Sequence, residues 1–124
     1  MGKGHRTERL GEEIRKIISS MILRELKDPR LGAEMVSVTA VEVTSDGSYA
    51  TVFITVLGLD PKKEEGKEAQ EDVLAALRSA KGLIRREIGK QVKLRHVPEL
   101  IFKMDTSMEY GRHIEEIIQN LDKE

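Results

Sequence analysis

Two runs of β-branched residues joined by a short polar turn constrain this chain more than any other feature. Val36-Ser-Val-Thr-Ala-Val-Glu-Val43 and Tyr49-Ala-Thr-Val-Phe-Ile-Thr-Val56 carry the residue types favoured in strands. Between them Thr44-Ser-Asp-Gly-Ser48 holds the Asp-Gly pair suited to tight hairpin turns, so the segment predicts an antiparallel hairpin. In the second run Ala50, Val52, Ile54 and Val56 alternate onto one face. A third strand is predicted over Glu99-Leu-Ile-Phe-Lys-Met104, with Leu100, Phe102 and Met104 inward. Phe53 and Phe102 are both read as core. Roughly forty residues with helical periodicity separate the second and third strands, and a crossover of that kind makes a right-handed parallel pair.

The helical segments are marked by apolar stripes at three- and four-residue steps. The first, about Thr7 to Leu26, carries Leu10, Ile14, Ile17, Ile18, Met21 and Leu26, and Asp28-Pro29 ends it. Gly58 to Gly66 reads as a charged loop. From about Lys67 the period returns with Val73, Leu77, Ala80, Ile84 and Ile88. Gly82 interrupts it, which predicts two helices meeting at Ala80-Lys81-Gly82 with a kink at Ala80 and Gly82. That glycine marks either a helix–helix packing notch or a place where a ligand backbone approaches. Thr106-Ser-Met-Glu109 has capping-box spacing and opens a last helix with Ile114, Ile117, Ile118 and Leu121 inward. The expected architecture is α+β, in the order α-β-β-α-α-β-α, with helices packed on a three-stranded mixed sheet. The 124 residues suit a single domain, 1–124, with an ordered core of about 6–121 and short flexible termini.

Composition excludes several chemistries. No cysteine is present, which removes disulfides, zinc ribbons and thiol catalysis and fits a cytoplasmic location. His5, His96 and His113 lie too far apart for a short-range metal site. No apolar run approaches the roughly 20 residues of a membrane span, and the first eight residues contain no signal-peptide stretch. Paired acids at Glu12/Glu13, Glu64/Glu65 and Glu115/Glu116 point to different sides of a helix, and no nucleophile motif or phosphate-cradling glycine loop occurs. The expectation is a monomeric protein that is not an enzyme, with no cofactor, no metal, no membrane partner and no small-molecule substrate.

Charge is unevenly placed. The formal total is −1, yet residues 78–96 hold seven bases against Glu87 alone. Such a segment directs one face of the molecule towards polyanions. Arg78, Lys81, Arg85, Arg86, Lys90, Lys93 and Arg95, with Gly82 beside them, are therefore the candidate RNA-binding residues. Neutralised phosphates would release counterions, and the start of the helix at Gly82 would offer backbone N–H groups to a phosphate. A secondary set, Arg6, Arg9, Arg15 and Lys16, is interleaved with Glu8, Glu12 and Glu13, so intrahelical ion pairing competes with RNA contact there. Only Tyr49, Phe53, Phe102 and Tyr110 are aromatic, none of them in the basic segment. Recognition by RNA shape and backbone is thus expected over base-by-base stacking.

Five segments, in order, carry a family resemblance: Asp28-Pro-Arg-Leu-Gly32; Val43-Thr-Ser-Asp46 with Ala50-Thr-Val52; Ser79-Ala-Lys-Gly-Leu-Ile-Arg85; Pro98-Glu-Leu-Ile-Phe102; and Asp105-Thr-Ser-Met-Glu-Tyr-Gly111. Together they resemble ribosome-binding factor A, a KH-like fold of type II, over about Arg6 to Leu121. In that family an Ala-x-Gly kink stands where other KH domains have Gly-x-x-Gly, and no Gly-x-x-Gly occurs in this chain. The resemblance implies binding to the free bacterial small (30S) ribosomal subunit and its rRNA. It further implies late maturation and 5′-end processing of the small-subunit (16S) rRNA, and a part in cold adaptation. The alternative is a protein–protein module, docking on a ribosomal protein through an acidic C-terminal helix with Glu109, Glu115, Glu116, Asp122 and Glu124, or through the sheet's free face.

Overall fold

The computed structural model describes residues 2–24, 26, 36–57 and 62–106, residues 2–5 by their backbone alone. Six elements follow one another: α1 (Gly2–Arg24), β1 (Val36–Val43), β2 (Tyr49–Val56), α2 (Glu64–Ser79), α3 (Lys81–Gln91) and β3 (Glu99–Met104). The sheet order is β1-β2-β3. β1 and β2 are antiparallel and β2 and β3 parallel, so the mixed sheet expected from the long helical crossover is present. The last predicted helix lies outside the described residues.

The hairpin turn shows why Asp-Gly stands there. Gly47 has φ +74°, a region that costs a side-chain-bearing residue. The Asp46 carboxylate accepts hydrogen bonds from the Thr44 hydroxyl (2.7 Å), the Ser48 hydroxyl (2.8 Å) and the Ser48 N–H (3.0 Å). Those donors, the Thr44 hydroxyl first, hold its pKa down at about 2. Within β1 the register shifts between Val38 and Ala40, leaving Thr39 as a bulge. Its hydroxyl donates to the Asp105 carboxylate at 2.5 Å, tying the first strand to the residue that follows the third.

The helices cover one face of the sheet. Ile14, Ile17, Ile18, Met21 and Ile22 of α1, Val73, Ala76 and Leu77 of α2, and Ile84 and Ile88 of α3 meet Val36, Val38, Ala50, Val52, Ile54, Leu100 and Phe102 in one core. Three expectations need correction. α1 runs from Gly2 to Arg24 and not from Thr7 to Leu26, and Leu26 is half-buried beyond its end. α2 begins at Glu64, inside the predicted loop, with Glu64 and Glu65 in its first turn, where the positive end of the helix dipole favours carboxylates. Phe53 is not core. It is half-buried, and the alternation of β2 turns it to the face opposite α1, α2 and α3.

Candidate nucleic-acid interface

The basic run is distributed over the end of α2, all of α3 and the segment leading into β3. α3 buries Ile84 and Ile88 against the core, which leaves its cations at the remaining positions. Ala80, at φ −89° and ψ 2°, interrupts the helical run between Ser79 and Lys81, and its carbonyl accepts the Ile84 N–H at 2.9 Å. The helix therefore restarts one residue before Gly82.

Two kinds of cation are present. Arg78, Arg86, Lys90, Lys93 and Arg95 are exposed, and none has a hydrogen bond or ion pair with another described residue. Arg86 and Lys90, four residues apart, share one side of α3. Lys81 and Arg85 are instead half-buried over the start of β3. Lys81 Nζ donates to Glu99 Oε1 at 3.0 Å, and Arg85 Nη1 lies 3.7 Å from Glu99 Oε2. Arg85 also donates from Nη2 to the Val97 carbonyl (2.9 Å) and from Nε to the Pro98 carbonyl (3.2 Å). The Lys81 hydrogen bond, then the Lys81 charge, hold the Glu99 carboxyl below its usual pKa, and the Arg85 charge adds to them. Sequence spacing put Lys81 and Arg85 on one outward face. The fold does bring them together, but against a carboxylate eighteen positions away, which the spacing could not show.

Gly82 is exposed, and a Cβ built on it meets no atom within 4 Å. The packing-notch reading is set aside by that open space. With no positive φ to preserve, Gly82→Ala should stabilise the free protein by about 0.5–1 kcal/mol, the usual gain in a compatible helical site. Thermal unfolding followed by circular dichroism checks this, and a lowered midpoint would mean the glycine is structurally required.

The secondary set divides as well. Arg6, Arg9 and Lys16 are exposed, whereas Arg15 is half-buried and ion-paired with Glu12. That pairing lowers the Glu12 pKa and raises that of Arg15. Along α2 the surface is unsuited to RNA: a shallow depression there is lined by Glu64, Glu68, Glu71 and Asp72, with Lys67 its one cation. No group of His, Asp or Glu able to hold a metal occurs among the described residues. No helix among them is long and apolar enough to cross a membrane. The acids of the C-terminal alternative, Glu109 to Glu124, lie outside the described residues.

The sheet face that no described helix covers, the free face of the protein-module alternative, exposes Tyr49 and Ile101, with Phe53 half-buried beside them. The strand register pairs Tyr49 with Glu99, so this face adjoins the Lys81–Glu99–Arg85 cluster. Alternation in β2 shows two faces. It carries no signal of which one the helices leave bare.

Comparison with known proteins gives a consistent result. The family model described as ribosome-binding factor A matches residues 6–118. A ribosome-binding factor A of Clostridioides difficile is 45% identical over 123 residues, covering 99% of this chain and 90% of that protein. The crystal structure of ribosome-binding factor A from Thermus thermophilus superposes with a TM-score of 0.61 at 26% identity, covering 79% of this chain and 94% of that one. A homology model of the Thermus thermophilus protein, fitted into the cryo-EM map of a 30S complex, matches in fold with a TM-score of 0.55 at 24% identity, over 77% of this chain and 91% of that one.

Proposed function

Since the chain belongs to the ribosome-binding factor A family, we propose that it binds the free small (30S) ribosomal subunit through its rRNA and acts in late maturation of that subunit. Processing of the 16S rRNA 5′ end, a part in cold adaptation, action as a monomer, a cytoplasmic location and the absence of any catalytic step belong to the same reading. The observation that carries it is the row of exposed cations on and beside α3, unpaired with any other described residue, next to the open surface at Gly82. Cations that no described residue neutralises can give their charge to phosphate, and each contact releases condensed counterions. The described aromatic residues, Tyr49, Phe53 and Phe102, lie off this row, which supports recognition by backbone and shape.

Co-sedimentation with isolated small subunits, at low and moderate salt, tests the reading. Arg86→Glu/Lys90→Glu is the variant of choice, because neither side chain bonds to another described residue and the fold should tolerate the change. Its affinity should fall by about tenfold or more, and its log–log salt slope should shrink by about 1.5, the share of two phosphate contacts. Unchanged binding by the folded variant would move the interface off α3. Failure of the unaltered protein to bind would overturn the proposal.

A further inference from the structure

Lys81 and Arg85 have the geometry of a phosphate clamp that is already filled. Arg85 is oriented by two carbonyls, Val97 through Nη2 and Pro98 through Nε, so its remaining terminal nitrogen, Nη1, is aimed at Glu99. Lys81 closes on the same carboxylate from one turn earlier in α3. Glu99 thus places two anionic oxygens between an ammonium and a preoriented guanidinium, the arrangement in which such groups hold a phosphate. Nothing among the described residues seals this cluster: the side chains of Lys81, Arg85 and Glu99 are 34%, 39% and 45% exposed. Ion pairs that open to water are weak, so an incoming polyanion can exchange with the carboxylate. Arg85 would not lose its orientation in that exchange, because the bonds to Val97 and Pro98 do not involve Glu99.

We propose that Lys81 and Arg85 form one RNA phosphate site, closed in the free protein by the Glu99 carboxylate, which an rRNA phosphate displaces on binding. This inference rests on the small-subunit reading and adds its regulation. Glu99 acts as an internal competitor: it keeps the clamp assembled and half of its charge neutralised when no RNA is present, and it sets a threshold that an isolated or weakly bound polyanion does not cross. The cluster at the α3–β3 joint therefore separates two roles within the basic segment. The exposed cations attract, and the closed pair discriminates.

Glu99→Gln tests it, since glutamine keeps the side chain's size and an acceptor for Lys81 while removing the charge. In titrations against isolated small subunits, with circular dichroism to verify folding, this variant should bind about two- to fivefold tighter, the range of an exposed ion pair. Its salt slope should stay the same, because the phosphate that displaces Glu99 in the unaltered protein makes the same contact in the variant. In a Lys81→Met/Arg85→Met background the same change should give no gain, because the competitor then has nothing to close. Equal or weaker binding by folded Glu99→Gln, while Arg86→Glu/Lys90→Glu still loses affinity, would overturn the competitor and leave the small-subunit reading in place. A gain that persists in the methionine background would overturn it too, by showing only a general loss of negative charge. If the unaltered protein did not bind, both readings would fall together.

Discussion

Ile54→Ala should cost about 3–4 kcal/mol of folding free energy, the upper part of the range for large-to-small changes at fully buried sites. Ile54 is fully buried in the central strand, with Val38 and Met104 as its cross-strand partners and the helical layer above it. No neighbour can collapse into the space without distorting two strand pairings at once. For a domain whose total stability is about 5–15 kcal/mol, that loss is a large share. Urea unfolding, with an unchanged m value, is the measurement. Ile101→Ala on the bare sheet face is the control and should cost well under 1 kcal/mol. A loss below about 1.5 kcal/mol at Ile54 would mean that the helices do not seat on β2 as described.

Gly11→Ala should lower stability by about 2–3 kcal/mol, against the direction that helix propensity predicts. Gly11 is buried within α1, on the same side as Ile14, Ile18 and Ile22, where the helix lies on β1. A Cβ at this position would stand 2.5 Å from the Val41 carbonyl oxygen and 3.4 Å from its carbon. These are backbone atoms of a paired strand, so they cannot rotate away as a side-chain end would. Helix and strand must separate, and the five buried apolar residues that follow in α1 lose contact with the sheet. The expected fall in thermal midpoint is roughly 10 °C. Set beside Gly82→Ala, this is one substitution with two opposite signs, decided by what each glycine faces. A stabilised Gly11→Ala protein would show that α1 does not approach β1 so closely.

Much of this fold can be read from periodicity because its elements are one-sided. The hairpin, the third strand and the stripes on α1 to α3 each show a clean alternation between apolar and polar positions, and the long crossover dictates the parallel pairing. The five family segments likewise lie in plain order along the chain. Gly11 was passed over because a glycine inside a helix reads only as a propensity cost, and its strand neighbour is thirty residues away. Phe53 was assigned to the core because an aromatic residue in a central strand suits either face until the helices choose one. At the candidate interface the run of cations is visible, but its division is not. Glu99 reads as an ordinary first residue of a strand, and only the parallel register and the turn from α3 into β3 bring it to Lys81 and Arg85.

The parallel strand also has a consequence in time. α1, β1 and β2 follow one another directly along the chain, whereas β3 reaches β2 only after the whole α2–α3 crossover. During synthesis from the N-terminus, the first 56 residues can assemble while β2 still has an open edge, with the apolar side chains of Ala50, Val52 and Ile54 only partly covered. Bringing in residues 99–104 carries the largest loop-closure entropy in the domain, so it is the expected slow step of refolding. Until it is complete, the nascent chain offers neighbouring chains a strand edge on which to pair.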